Sequence, residues 1–201
     1  MRVLIACEFS GTVREAFRAL GHDAWSCDLL TSADDSRHHF RGDVLDVLRL
    51  TGPWDMMIAH PPCTYLASSG LHWNKRRPER AAWTEQALNF VQDLMCLHGI
   101  IPRIAIENPI GCISTRIRKP DQIIHPWQFG HDASKATCLW LQGLPPLVPT
   151  DVLPGGRAAR RANQTASGQN KLPPSPDRWA LRSITYPGIA AAMAAQWGGQ
   201  A

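Results

Sequence analysis

The sequence predicts an α/β protein whose sheet is mostly parallel and flanked by helices. Short apolar runs at residues 3–6, 54–59 and 103–106 alternate with segments whose apolar residues recur at helical spacing. This alternation favours parallel strands joined by right-handed crossovers. The chain has 201 residues, 44% of them hydrophobic, which predicts a single domain over residues 1–201.

The first predicted strand, residues 3–6, ends in the turn Glu8-Phe9-Ser10-Gly11. Thr12 is placed to cap a helix, and Gly21 is placed to end it. Residues 24–27 form the second predicted strand.

A third short segment ends at Gly42-Asp43-Val44, and residues 54–59 form the fourth strand. A polar, basic stretch at residues 68–80 precedes a helix at about 82–98, and residues 103–106 form the fifth strand. The predicted buried stripe of the helix is Trp83, Ala87, Phe90, Val91, Leu94 and Met95.

The pattern is less regular beyond residue 115. Proline, glycine and serine predict mainly loop at residues 144–176, and we expect residues 144–182 to be a loop-rich basic insertion. An alanine-rich helix is predicted at residues 189–197. The basic residues of the insertion could follow a phosphate backbone or form an ordinary basic loop: Arg157, Arg160, Arg161, Lys171, Arg178 and Arg182.

Charge and cysteine content narrow the class of protein. A formal charge of +4 permits a phosphate-bearing partner, although a solvated basic face gives the same balance. The six cysteines form no C-x-x-C pair, so we expect reduced thiols, no metal and a cytoplasmic location. Apolar runs fall short of the ~20 residues of a membrane span, so we expect no membrane partner.

Two apolar runs end in residues with reactive side chains. Pro61-Pro62-Cys63 follows residues 56–59, and Glu107-Asn108-Pro109 follows residues 104–106. Ligands bind at the carboxyl ends of the strands in open α/β sheets. A thiol and a carboxylate there predict a site with a nucleophile and an acid. A buried structural cysteine and a surface or helix-capping glutamate are the alternative interpretations.

In this order, the motifs resemble those of the C5-cytosine-specific DNA methyltransferases, especially compact members from phages and prophages. The similarity covers most of residues 1–109 and is weaker at the carboxyl end. Phe9-Ser10-Gly11 resembles the turn beneath S-adenosylmethionine. Pro61-Pro62-Cys63, with Gly70 seven residues later, resembles the catalytic motif, and Glu107-Asn108 resembles the motif that grips the target cytosine.

The resemblance implies a Rossmann-like fold that binds S-adenosylmethionine. Asp28 falls where an acidic residue holds the ribose hydroxyls, and Gly42-Asp43-Val44 resembles the segment that contacts adenine. An Asp is also common in turns without a ligand. The expected cofactor-binding residues are Phe9, Ser10, Gly11, Asp28, Leu29, Asp43, Val44 and Pro61.

The resemblance also implies the catalytic roles. Cys63 would add to C6 of cytosine so that C5 can attack a methyl sulfonium. A free thiol is mostly protonated at neutral pH, and residues 75–77 could supply positive charge near it or contact phosphate. Glu107 would hold a proton on ring N3, which requires a carboxyl pKa raised by burial. Asn108 would orient the base or hold the turn.

DNA is the substrate that the resemblance implies, with the cytosine flipped out of the duplex. Residues 68–80 resemble the mobile loop that closes over the flipped base. Trp73 would fill the vacated stack or anchor the loop. The expected substrate contacts are Pro62, Ser69, Trp73, Arg76, Arg77, Arg116 and Arg118.

The chain departs from the family pattern at several positions. Thr12-Val13-Arg14 replaces a glycine pair, Ala67 replaces a serine, and Pro109 replaces a valine. No Gln-x-Arg-x-Arg stretch occurs at the expected distance, and only residues 144–182 could replace the large target-recognition domain. We therefore expect low specificity, a very short site or a protein partner. RNA, a free cytosine nucleotide, a different transferred group and an inactive nucleic-acid-binding homologue stay open as alternatives.

Overall fold

The computed structural model of the protein describes residues 1–159, 172–173 and 175–199. The strands are β1 (Arg2–Ala6), β2 (Asp23–Asp28), β3 (His39–Arg41), β4 (Met56–Ala59), β5 (Arg103–Pro109), β6 (Gln122–Ile124) and β7 (Thr137–Gln142). In this part of the chain they form a seven-stranded sheet of order β3-β2-β1-β4-β5-β7-β6. The first five strands are parallel to one another, and β7 is antiparallel to both β5 and β6. The predicted α/β fold class is confirmed.

The helices connect these strands and cover the sheet. They are α1 (Thr12–Ala19), α2 (Val44–Thr51), α3 (Ser68–Leu71), α4 (Glu79–Met95), α5 (Ile113–Arg116), α6 (Gly156–Ala159), α7 (Arg178–Ser183) and α8 (Pro187–Gly198). Single 3₁₀ turns lie at His72–Lys75, Cys96–Gly99 and Pro126–Gln128.

Two hydrophobic clusters lie on opposite faces of the sheet. Side chains alternate along a strand, so Val3 and Ile5 of β1 join the cluster under α1 and α8, whereas Leu4 and Ala6 join the cluster under α2 and α4. Trp197 of α8 is fully buried in the first cluster. The carboxyl-terminal helix thus packs on the same face of the sheet as α1.

The start of α1 differs from the prediction. Gly11, not Thr12, occupies the N-cap position, with a φ of 75° that favours glycine. The carboxylate of Glu8 replaces a side-chain cap, because it accepts hydrogen bonds from the backbone N–H groups of Val13 (2.7 Å) and Arg14 (3.3 Å). Glu8 therefore belongs to the structure of this turn.

The predicted stripe of α4 is partly wrong. Trp83 is 41% exposed, and Ala87 and Phe90 are half-buried. The buried residues of this helix are Thr84, Leu88, Val91, Leu94 and Met95. Trp83, Ala87 and Phe90 instead line a cavity between the helix and the sheet, which is why an apolar stripe marked them.

Several elements were not predicted, and three of them, α2, β6 and β7, change the site. Asp43 caps α2 by accepting a hydrogen bond from Leu45 N at 2.8 Å, so it begins a helix. The pair β6 and β7 adds an antiparallel edge that continues β5 to Pro109. Glu107 and Asn108 consequently lie within β5, opposite Leu139 and Cys138, whereas the sequence placed them after the strand.

Part of the basic insertion can be described. Leu147 is buried in the cluster under α8, and α6 and α7 lie within residues 144–183. Arg160, Arg161, Lys171 and the side chain of Arg157 lie outside the described residues. No helix in the described ranges is long and apolar enough to cross a membrane.

Candidate active site

The turn after β4 and the end of β5 are joined by a buried hydrogen bond. Asn108 is only 1% exposed, and its Nδ2 donates to the carbonyl oxygen of Pro61 at 2.7 Å. Its Oδ1 is buried and has no hydrogen-bond partner among the described residues. The Glu-Asn and Pro-Pro-Cys motifs, 44 residues apart in sequence, therefore form one structural unit.

Further backbone contacts strengthen this connection. Ala67 and Gly111 form an isolated antiparallel bridge, and Cys112 N donates to Leu66 O at 2.9 Å. A Cβ atom on Gly111 would collide with the carbonyl oxygen of Leu66, so only glycine permits this approach. Cys63 thus lies in a turn whose two ends are fixed.

Cys63 is an exposed residue, yet the surrounding protein desolvates its thiol. Desolvation raises the pKa of Cys63, and the charge of Glu107 raises it further, while Lys135 and Arg182 lower it. The cations acting on the thiol thus come from the carboxyl-terminal part of the chain, whereas the sequence suggested residues 75–77.

Glu107 forms a close pair with His60, a residue that the sequence analysis did not select. His60 Nδ1 lies 3.0 Å from Glu107 Oε2, and the two side chains are 8% and 16% exposed. Burial alone would raise the pKa of Glu107, but His60, Lys135 and Thr137 together hold it below its ordinary value. The expectation of a raised pKa is therefore wrong for the protein without substrate.

A second buried carboxylate lies on the other side of His60. Glu8 is 5% exposed, and burial raises its pKa, whereas the charge of His60 acts to lower it. Glu8, His60 and Glu107 occupy the carboxyl ends of the neighbouring strands β1, β4 and β5. The sheet therefore carries a glutamate–histidine–glutamate row beside Cys63.

Next to this row lies a cavity of about 460 Å³, which we call the first cavity. Five of the eight expected cofactor residues line it: Asp28, Leu29, Asp43, Val44 and Pro61. Pro62 and the motif residue Gly42 line it as well. The residues that the sequence analysis did not assign to it are Cys7, Cys27, Tyr65, Leu66, Trp83, Gln86, Ala87 and Phe90. The cavity thus joins the ends of β1, β2 and β4 to α4.

Two carboxylates, and no basic side chain among the described residues, line the first cavity. Asp28 Oδ1 and Asp43 Oδ1 each accept one hydrogen bond from the backbone two residues on. Burial, followed by the charge of Asp28, raises the pKa of Cys27 to about 12, and burial likewise raises the pKa of Cys7. Among its described lining residues there is no Lys, Arg or His, so the cavity disfavours a phosphate group.

Phe9, Ser10 and Gly11 are not part of this lining. Phe9 packs against Trp179 with ring centroids 6.0 Å apart, and Ser10 Oγ lies 3.3 Å from Glu8 Oε1. A Cβ atom on Gly11 would collide with the guanidinium of Arg14. Their predicted contact with the cofactor stays a prediction.

A second cavity, of about 530 Å³, is formed by segments from the carboxyl-terminal part of the chain. It is lined by His131, Asp132, Ala133, Lys135, Leu172, Leu181, Arg182, Ile184, Thr185, Tyr186 and Pro187. Lys135 Nζ donates to the carbonyl oxygen of Arg182 at 3.0 Å, which ties α7 to the segment before β7. Because Lys135 and Arg182 also act on Cys63, this cavity lies close to the thiol.

The predicted loop over the site is helical in the structure. Residues 68–80 form α3, a 3₁₀ turn and the start of α4. Trp73 is 41% exposed, with the Arg76 guanidinium 5.3 Å from its ring centre, and Ser69 and Arg77 are exposed. A Cβ atom on Gly70 would lie 2.5 Å from Thr64 O, so α3 packs directly on the turn that follows Cys63.

Two of the expected substrate contacts form ion pairs within the protein. Arg116 lies 2.9 Å from Glu85 of α4, and Arg118 lies 2.8 Å from Asp121. Arg118 also donates to Leu141 O, which attaches it to β7. Their predicted role with substrate is untested by these contacts. The described residues hold no group of three or more His, Cys, Asp or Glu side chains arranged for a metal.

The sheet order, the parallel strands and the helices on both faces define a Rossmann-like α/β protein. No family model and no curated protein matches this chain. Among solved structures, it is similar to a prophage-encoded protein of E. coli described as a DNA modification methyltransferase, at 13% identity and a TM-score of 0.47. The similarity covers 78% of this chain and 53% of that one, so the chain spans about half the length of that protein.

Proposed function

We propose that this protein transfers a methyl group from S-adenosylmethionine to C5 of cytosine in DNA, through a covalent adduct on Cys63. The observation that best supports this is the hydrogen bond from Asn108 to Pro61. It holds a nucleophile and a hydrogen-bonding carboxyl group at one point on the carboxyl edge of the sheet. A protein that only binds nucleic acid needs neither group.

The first cavity suits the nucleoside part of S-adenosylmethionine. Ribose hydroxyls and an adenine amine are hydrogen-bond donors. Asp28, at the end of β2, and Asp43, at the start of α2, are acceptors in this cavity. Trp83 and Phe90 offer aromatic faces to a base. The lack of a basic side chain in the described lining argues against a phosphorylated cofactor. When bound, S-adenosylmethionine would supply the methyl group as an electrophile.

Cys63 and Glu107 would act together on the cytosine ring. The sulfur electron pair of Cys63 forms the bond to C6, which makes C5 nucleophilic. Glu107 places a proton on N3, so the ring does not accumulate negative charge. After transfer, solvent water takes the proton from C5, the C5–H electron pair forms the C5=C6 double bond, and the electron pair of the C6–S bond returns to sulfur.

The protonation of the two groups is coupled. The negative charge of Glu107 raises the pKa of Cys63, so a proton on Glu107 lowers it. A site that holds the proton needed at N3 therefore also favours the thiolate needed at C6. Lys135 favours the anionic form of both groups.

The second cavity supports a substrate that carries phosphate. Lys135 and Arg182 lie close enough to act on Cys63, and both line this cavity. A nucleotide whose base is at Cys63 would place its phosphate groups near these cations. With only residues 144–182 available as a recognition segment, we propose a very short recognition site or a protein partner that supplies specificity.

Transfer of a labelled methyl group tests the proposal. The protein is incubated with labelled S-adenosylmethionine and, separately, duplex DNA, single-stranded DNA, RNA and dCMP, and the products are digested to nucleosides. We expect label only in DNA, as 5-methyldeoxycytidine. Label in RNA or dCMP would change the substrate, and label at another atom would change the reaction. Cofactor binding without transfer to any of them would favour a non-enzymatic nucleic-acid-binding protein.

A further inference from the structure

His60 is a polar residue with a side chain only 8% exposed, and the proposed mechanism does not yet use it. It lies directly after β4 and directly before Pro61, and its backbone N–H donates to Ala6 O at 2.9 Å. Its Nδ1 contacts Glu107, while its Nε2 is buried without a hydrogen-bond partner among the described residues. The His60 side chain is only 8% exposed, and packing alone does not explain a buried ring nitrogen that lacks a hydrogen-bond partner among the described residues.

Charged and titratable groups face His60 from each neighbouring element. Glu8 faces it from the end of β1, and Glu107 faces it from β5. Lys135, before β7, acts on Glu107, and Cys63 follows three residues after the histidine. Arg14 of α1 acts in turn on Glu8. Two carboxylates thus flank the ring.

We propose that His60 is a positioning residue that holds, jointly with Glu107, the proton that Glu107 delivers to N3 of the target base. This inference rests on the proposed function. The pair with one shared proton can exist as a carboxylate beside an imidazolium or as a carboxyl group beside a neutral ring. The second form is the one that can donate to the base.

One proton moves between Glu107 and the base during the reaction. As the Cys63 sulfur electron pair forms the S–C6 bond, the carboxyl proton of Glu107 moves to N3. The carboxylate that remains accepts a hydrogen bond from His60. After methyl transfer, solvent water takes the proton from C5 as the S–C6 bond breaks, the electron pair of that bond returns to sulfur, and the N3 proton returns to Glu107. The histidine is therefore neither consumed nor required to contact the substrate.

His60→Gln separates this role from simple orientation. Glutamine can still donate an N–H group to Glu107, but it cannot carry a titrating proton. The control is His98→Gln, which changes an exposed histidine after α4. Adduct formation with DNA containing 5-fluorocytosine is measured for all three proteins from pH 6 to 9, together with S-adenosylmethionine affinity.

We expect His60→Gln to slow adduct formation by about 10- to 100-fold at its optimum, because glutamine keeps an N–H donor for Glu107 but cannot hold the shared proton. Cofactor affinity should change less than about twofold. The pH–rate profile of His60→Gln should differ from that of the wild type in its high-pH limb, because only the wild-type pair can share a proton, whereas the profile of His98→Gln should match the wild type. An unchanged rate and pH profile would overturn the proposal, because the hydrogen bond alone would then suffice.

A measurement without substrate distinguishes the proposal about His60 from the proposed function. Carbon-13 NMR of labelled carboxyl groups follows the titration of Glu107 in the folded protein. In His60→Gln its pKa should rise, because burial is no longer opposed by the histidine. An unchanged Glu107 pKa would contradict a shared proton, even if the adduct forms. A wild type that forms no adduct, with the pKa change observed, would contradict the proposed function alone.

Discussion

The two cavities near Cys63 differ in the charged side chains that line them. The first contains Asp28 and Asp43 and, in the described lining, no cation, whereas the second contains Lys135 and Arg182 together with one carboxylate, Asp132. The first is built by the strand ends and α4, and the second by segments beyond residue 130. In the proposed function, the first cavity therefore binds the nucleoside part of the cofactor, which has no phosphate, and the second cavity binds the phosphate groups of the substrate.

The largest effect is expected when the charge of Lys135, in the second cavity, is reversed. Lys135→Glu replaces a charge that lowers the pKa of Cys63 with one that raises it, so the thiolate fraction below that pKa should fall. We expect adduct formation to slow by about 100-fold, since each pKa unit changes that fraction tenfold.

The reactivity of Cys63 toward iodoacetamide, followed by mass spectrometry of the modified peptide, checks this effect without substrate. Lys119→Glu, at an exposed lysine after α5, is the matched control. Equal alkylation rates in the two variants would show that Lys135 does not act on the thiol.

A smaller effect is expected in the first cavity. Asp43→Asn removes the charge but keeps the helix cap, because asparagine caps as well as aspartate. S-Adenosylmethionine affinity should fall about tenfold, equivalent to about 1.4 kcal/mol, with the free energy of unfolding nearly unchanged. Calorimetry should also find that the wild type binds adenosine more tightly than AMP. Tighter binding of AMP would contradict the proposal that the first cavity binds a nucleoside without phosphate.

The smallest effect is expected at the hydrogen bond that connects the two motifs, and it is a loss of stability. Asn108→Leu removes the hydrogen bond to Pro61 O, leaving a buried acceptor unpaired at a cost of about 1–3 kcal/mol. Urea unfolding measures that loss. Asn74→Leu also removes a side-chain hydrogen bond, from Asn74 Nδ2 to Thr84 Oγ1, and serves for comparison. If stability falls in both variants, only Asn108→Leu should also slow adduct formation.

Part of the site could be predicted because its residues directly follow strands. Asp28 and Pro61 follow apolar runs in sequence, and both line the first cavity. Trp83 and Phe90 were assigned to the core because an apolar helix stripe has the same pattern whether it meets a core or a cavity.

Residues placed by tertiary contacts could not be predicted in this way. Lys135 and Arg182 come from segments without periodicity, and only the antiparallel strand β7 and helix α7 bring them toward Cys63. His60 was not selected from the sequence, because its role depends on a contact with Glu107, 47 residues away. The lowered pKa of Glu107 could not be predicted for the same reason, because it depends on His60, Lys135 and Thr137.

Covalent trapping tests the central claim most directly. Wild type and Cys63→Ala are incubated with S-adenosylmethionine and duplex DNA containing 5-fluorocytosine, in which fluorine at C5 blocks the final elimination. Cys96→Ala, at another exposed cysteine, is the control. The account predicts a gel-shifted adduct for the wild type and Cys96→Ala, and none for Cys63→Ala. An adduct that persists in Cys63→Ala, or no adduct from a wild type that binds both cofactor and DNA, would contradict it.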